Sequence, residues 1–177
     1  MSLGSLNVRD FELYLLKTML PPDSLLAAAL NELGCSVDDM IVSFEAVDRA
    51  TKLGRVPQGN MISILEDVLV RDLNVDIGTF AYGIPLWSEL TFMLAFDGSG
   101  TMITRAEFVR RVDLPPGSWP VPWNFVEHEM DDVFDEIGEF NDWGHYHSCI
   151  ARVKNSDERQ FLRFAWGLLQ EAEPVED

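Results

Sequence analysis

Apolar residues recur at helical spacing through the first part of the chain. Four segments carry them three and four residues apart, as helices do when one face packs on a core. Asn7, Pro21 and Gly34 are typical start and stop signals for the first two helices. The stripes comprise apolar residues between Val8 and Leu20; Leu26, Ala29, Leu30 and Leu33; Val37, Met40, Ile41, Phe44 and Val47; and Met61, Ile64, Leu65, Val68 and Leu69. We predict a helical array over residues of about 7–73.

The hydrophobic period changes to two in the middle of the chain. Apolar residues alternate with others over 90–96 and over 102–108, on either side of a glycine-containing loop at 98–100. Pairing the two runs across this loop puts nearly all the apolar residues on one face, as a half-buried hairpin requires. The pattern predicts a β-hairpin here, while helices over 86–96 and 104–112 remain an alternative reading.

The last third of the chain predicts a helix, a strand and a second helix. Asn124 can cap a helix that runs to Ile137 before a glycine stop. Alternation over 145–153 indicates a strand. Ser156 then begins the last predicted helix, whose inward positions are Phe161, Leu162, Ala165, Leu168 and Leu169.

These elements predict one domain of the α+β class over residues 1–177. An N-terminal helical array is followed by an antiparallel β-hairpin or small sheet and by two further helices. The helical part covers about 7–73, the hairpin-containing α+β part about 77–170, and a frayed acidic tail 171–177. The length agrees with one domain.

Charge narrows the classes of function. Thirty acidic and 13 basic residues give a net charge of −17. This balance excludes nucleic-acid binding through a basic surface and docking on an anionic membrane, whereas it attracts a basic protein. We find no signal-peptide pattern and no apolar run long enough to span a bilayer. Two separated cysteines, Cys35 and Cys149, are typical of free thiols in a reducing cytoplasm.

Almost half of the net charge falls in residues 127–142, which contain eight acids and no Lys or Arg. On the predicted helix these acids surround the exposed face, where like charges four residues apart repel. Two interpretations stay open: a solvated face that aids solubility, and a docking surface for a cationic partner. The candidate partner-binding residues are Glu127, Glu129, Asp131, Asp132, Asp135, Glu136, Glu139, Asp142, Trp123 and Trp143.

Catalytic motifs are absent from the sequence. There is no GxSxG elbow, no phosphate-binding loop and no dinucleotide fingerprint. His145 and His147 would share one face of a strand, as a metal-binding pair requires, and carboxylates lie nearby. A metal-dependent enzyme built on this pair is therefore the alternative hypothesis. We assign no catalytic residue, metal ligand or cofactor from the sequence.

The stretch from Trp87 to Gly98, with its Leu-Thr-Phe strand and Asp-Gly turn, resembles the strand–turn–strand region of bacterial toxin-immunity proteins of the YezG type. The resemblance covers about two dozen residues. It implies an inhibitor of a basic toxin such as a nuclease. The leading hypothesis is an acidic protein-binding domain, most specifically an immunity or inhibitor protein with a basic protein partner. A DNA-mimic role in a bacterial protein belongs to the same physical class.

Overall fold

The computed structural model describes residues 6–51, 71–72, 79–97, 103–110 and 119–175. Two compact units divide the chain, residues 1–106 and residues 107–177, and we describe each by itself. The fourth predicted helix, with its stripe from Met61 to Leu69, lies outside the described residues, as does the loop at 98–100. The single domain over 1–177 stays a prediction.

Three helices begin the first unit, and their ends follow the sequence signals. Helix α1 spans Val8–Met19, α2 spans Asp23–Leu33 and α3 spans Val37–Thr51. The Asn7 side chain accepts a hydrogen bond from the Asp10 backbone N–H, and the Asp10 carboxylate accepts one from Asn7, which completes a capping box. Gly34 ends α2 with a φ of 63°, a left-handed conformation that glycine adopts without strain. The predicted helices are confirmed over this range.

Helix α1 is the centre of the first unit's core. Phe11, Leu15 and Met19 are fully or almost fully buried. The Phe11 ring meets Phe92 of the sheet edge-on at 5.8 Å, and Tyr14 stacks on Phe44 of α3 at 5.6 Å. The helix therefore packs between α3 and the sheet of the same unit.

The first sheet contains the predicted hairpin. Its strands are β1 (Arg71–Asp72), β2 (Thr79–Gly83), β3 (Leu90–Phe96) and β4 (Ile103–Arg110), in that order across the sheet. Leu90, Phe92 and Leu94 of β3 are buried, as the alternation predicted. The two strands are confirmed, and the helical alternative is wrong over 90–96 and 104–110, where the structure describes strands. Strand β4 continues into the second unit.

The second unit is built on five strands. They are β5 (Phe134–Ile137), β6 (Asn141–Trp143), β7 (Tyr146–Val153), β8 (Arg159–Ala165) and β9 (Leu168–Pro174). The order is β5-β7-β8-β9, and β6 pairs with β7 beside β5. The core on one face of this sheet consists of Phe125, Met130, Phe134, Cys149, Ala151, Leu162, Phe164 and Leu169. The predicted strand over 145–153 is confirmed as β7.

The helix predicted from Ser156 is wrong, because this part of the chain is the β8–β9 hairpin. Trp166 and Gly167 form its two-residue turn with φ angles of 53° and 70°. Positive φ at both positions matches the twist of hairpin strands. Gln160, Leu162 and Phe164 alternate into the core. Residues 171–174, predicted as frayed tail, belong to β9.

The helix predicted over 124–137 is also wrong in most of its length. A 3₁₀ turn (Glu127–Glu129) leads into one helical turn, α4 (Met130–Val133), and the chain then extends into β5. Strand pairing of Phe134 with Val153 competes with helix continuation and buries the Phe134 ring. The α+β class is therefore confirmed, but a sheet replaces the two further helices. No helix of the described residues is long and apolar enough to cross a membrane.

The buried carboxyl of Glu12 allows the packing of the first unit to be tested through the pH dependence of stability. Its Oε1 accepts a hydrogen bond of 2.7 Å from the backbone N–H of Leu86, in the 3₁₀ turn Pro85–Trp87. Burial raises the pKa of Glu12, and the Leu86 hydrogen bond opposes this effect. Because the folded state holds the proton more tightly, the stability linked to Glu12 is present at low pH. It is lost as the pH rises through the folded-state pKa.

We predict that Glu12→Gln, which keeps the acceptor without the charge, raises Tm at pH 7.5 and changes it much less at pH 4. Thermal unfolding followed by circular dichroism at both values measures this difference. Glu45→Gln on the exposed side of α3 is the control, with no comparable effect expected. A Tm difference for Glu12→Gln that is independent of pH would contradict the prediction.

Candidate functional site

The acidic segment 127–142 crosses the second unit's sheet and then forms one of its edges. The backbone N–H of Glu127 bonds to the Gly167 oxygen at the β8–β9 turn, and Lys154 N–H bonds to the Val133 oxygen at the far end of β7. Between these points the chain passes over the core face, where Met130 is buried. Residues 134–143 then follow β7 as β5 and β6. The acids are thus distributed over a face and an edge.

Four of the eight acids have cationic or imidazole partners from outside the segment. Glu127 Oε2 lies 2.8 Å from His147 Nδ1. Arg152 lies between two carboxylates, with Nε 3.0 Å from Asp135 and Nη2 2.8 Å from Glu136. The hydrogen bond to Asp135 raises the pKa of Arg152. These pairs reduce the repulsion that the sequence alone suggests.

The fourth partnered acid, Glu129, is buried and supports the fold. Its Oε1 lies 2.5 Å from Arg110 Nε, and the two side chains are only 8% and 7% exposed. Its Oε2 accepts a hydrogen bond from the Val126 N–H, and Arg110 Nη2 donates to the Asn124 oxygen at 2.7 Å. Glu129, one of the predicted partner-binding residues, is therefore buried rather than exposed, and its carboxylate neutralises a buried guanidinium.

The other four acids are exposed. Asp131, Asp132, Glu139 and Asp142 make no ion pair with any other residue that the structure describes. The Lys154 ammonium donates to the backbone oxygen of Asp131 rather than to its carboxylate. Glu139 and Asp142 flank Phe140 and Asn141 on the sheet edge. These carboxylates are the part of the acidic segment that is available to a partner.

The two candidate tryptophans lie in different places. Trp143 is 80% exposed at the end of β6, and its ring stacks on Tyr146 at 6.1 Å. Trp123 lies beside β9, where its Nε1 donates to Gln170 at 2.9 Å. Because β9 is at the opposite end of the strand order from β5, the structure does not bring Trp123 to the acidic edge. Phe140, 39% exposed, precedes β6 on the acidic edge.

The two histidines have separate surroundings. His145 stacks on Trp166 at 4.2 Å, whereas His147 contacts Glu127 and the Phe140 ring. Among the described residues no three His, Cys, Asp or Glu side chains are grouped so that they could hold a metal ion. Burial and nearby Glu127 raise the pKa of Cys149 to about 11, which keeps this thiol protonated at neutral pH. The two imidazoles therefore have different partners in the described structure.

Comparisons of the chain with protein-family models, with curated proteins and with solved structures found no match.

We predict that Glu129→Ala lowers the free energy of unfolding by about 3 kcal/mol, because it leaves the Arg110 guanidinium buried without its carboxylate. The matched control is Asp132→Ala, which removes an exposed acid three residues away and is expected to change stability by about 0.5 kcal/mol or less. Urea unfolding of both variants measures the difference. Equal stability of the two variants would show that the Arg110–Glu129 pair does not support the second unit.

Proposed function

We propose that this chain is an acidic protein-binding domain that docks a basic protein partner on the edge formed by β5 and β6. The observation that carries the proposal is the combination, on one sheet edge, of the unpaired exposed carboxylates of Glu139 and Asp142 with an 80% exposed tryptophan, Trp143. Its most specific form is an immunity- or inhibitor-type protein that occludes the basic active site of a toxin such as a nuclease. A DNA-mimic role would use the same electrostatics.

The charge of the whole chain supports a basic partner. A net charge of −17 attracts cationic proteins and speeds their association at low salt. Two unpaired carboxylates, those of Glu139 and Asp142, lie on the edge, and two more, those of Asp131 and Asp132, lie on the helical turn α4 before it. Among the described residues no cation pairs with these carboxylates in competition with a partner's lysine or arginine. Asp135 and Glu136 already share Arg152, so they contribute less.

Trp143 distinguishes docking from simple solvation. A row of exposed acids is sufficient to keep a sheet edge soluble and to prevent aggregation. An exposed indole works against both purposes, whereas tryptophans are enriched among the residues that dominate binding energy in protein interfaces. Stacking on Tyr146 holds the Trp143 ring in place, so little side-chain freedom remains to be lost on binding.

We place this function in the cytoplasm. The free cysteines Cys35 and Cys149 support a reducing compartment.

The test uses a variant that neutralises only the unpaired acids. The tagged protein is first used to isolate a basic partner, which is then purified, and its Kd is measured by titration calorimetry at low salt. The site variant combines Asp131→Asn, Asp132→Asn, Glu139→Gln and Asp142→Asn. The control variant removes the same number of exposed acids from the helices, by Glu32→Gln, Asp38→Asn, Glu45→Gln and Asp48→Asn.

We expect the site variant to raise the Kd at least about tenfold and the control variant no more than about threefold, because local charge acts more strongly than net charge. Circular dichroism verifies that both variants fold. Equal weakening by the two variants would reject the edge as the binding site. Failure to isolate any basic partner would reject the function itself.

A further inference from the structure

In the second unit a chain segment covers one edge of the sheet, and no strand of the described residues covers the other. Residues 123–127 run beside β9, with Trp123 N–H bonded to the Leu169 oxygen and Leu169 N–H bonded to the Phe125 oxygen. At the opposite edge, β5 and β6 pair with β7 alone among the described strands. As far as the described part of the chain shows, the outward backbone groups of this edge can bond to another extended chain.

Gly138 lies in the link between β5 and β6, where the pairing with β7 is irregular. The register shifts between Phe134 and Glu136, and residues 138–140 lie opposite only two residues of β7. The Gly138 N–H donates to the Ile150 oxygen of β7 at 2.9 Å, and a Cβ at this position would lie only 3.0 Å from that oxygen. The absence of a side chain thus keeps the chain against β7 between the two strands. The whole edge follows the eight residues of β7, roughly 25 Å at the usual rise per strand residue.

The orientation of β6 defines what the edge presents. Because Gly144 and His145 form a two-residue turn, Trp143 and Tyr146 are the hydrogen-bonded pair, and the backbone of Asp142 faces outward. Successive side chains alternate between faces, so Trp143 lies on one face of the sheet while Asp142 lies on the other. Phe140 is on the second face too, where its ring contacts His147.

Charge selects the occupant of this edge. Along it lie Asp135, Glu136, Glu139 and Asp142, and the neighbouring Arg152 already binds the first two. A second copy of the chain would bring these carboxylates against their own equivalents, which repel at close range. An extended segment that carries arginines or lysines would neutralise them. The exposed Trp143 face is also a favourable place for a guanidinium to stack.

We propose that the β5–β6 edge binds an extended, arginine-bearing segment of a basic protein by strand addition, with an arginine stacked on Trp143. The partner's backbone pairs with outward groups such as those of Asp142, and its alternate side chains meet the two faces of the edge. This inference rests on the proposed function, because it names how the same edge engages its partner.

A defined peptide tests the backbone part of the proposal. The probe is a fluorescein-labelled nine-residue peptide in which arginine alternates with valine. Its control has the same sequence with N-methyl groups on the valines, which keep the charge but remove the N–H donors that a strand needs. Fluorescence anisotropy with the wild-type protein is expected to show a Kd at least about tenfold lower for the unmethylated peptide.

Two pairs of protein variants test which groups of the β5–β6 edge bind the peptide. Asp142→Pro removes an outward N–H, and Asp142→Asn is its control because both lose the same charge. Trp143→Ala removes the stacking surface, and Trp119→Ala is its control because Trp119 is another exposed tryptophan, at 50%. We expect the first member of each pair to weaken binding of the unmethylated peptide several-fold more than its control does. Circular dichroism verifies folding.

The outcomes separate this inference from the proposed function. Equal affinity for the two peptides, or equal effects of Asp142→Pro and Asp142→Asn, would overturn strand addition while leaving a charge-based docking surface standing. Sedimentation that shows a dimer which Asp142→Pro dissociates would identify a second copy as the occupant and overturn the choice of a basic partner. The proposed function is tested separately, by whether a basic partner is isolated and by how much the neutralised-acid variant raises the Kd of that partner.

Discussion

The second unit depends on the buried ion pair between Arg110 and Glu129. Arg110 ends β4, and its guanidinium bonds to Glu129 and to the backbone of Asn124. This contact fixes the point at which the chain leaves β9 and crosses the sheet. Phe125 and Met130 can then enter the core, and the following residues reach the open edge in the register of β5 and β6. The site is thus positioned by a charge pair that takes no part in it.

Elements with local signals were predicted, and elements decided by distant pairing were not. Helix α1 begins at the Asn7 capping box and α2 ends at Gly34, and β3 and β4 have the alternation of a half-buried hairpin. The apolar spacing over 156–169 also fits a helix. The fold instead pairs β8 with β7 and β9, which buries Leu162 and Phe164. The Trp-Gly dipeptide at 166–167 was the available signal for this hairpin, since glycine favours the second position of such turns.

The same contrast between local signals and distant contacts applies to the candidate site. Summing charge along the chain located the acidic segment, because composition is a local property. Which acids are free depends on cations far away in the sequence: Arg110 lies 19 residues before Glu129, and Arg152 lies 17 residues after Asp135. Trp123 was grouped with the acids by proximity in sequence, although its indole bonds to Gln170 beside β9.

The stack of His145 on Trp166 has a consequence for how this fold tolerates change in chain length. It joins the turn between β6 and β7 to the turn between β8 and β9, and Trp166 N–H also bonds to the His145 oxygen at 2.8 Å. An inserted residue in either turn would separate the two rings and shift one hairpin against the other. The connection at 154–158, at the far end of β7, is exposed and has no such ring contact among the described residues. Insertions and deletions among related sequences should therefore accumulate at that end, while the end with the His145–Trp166 stack keeps a constant length.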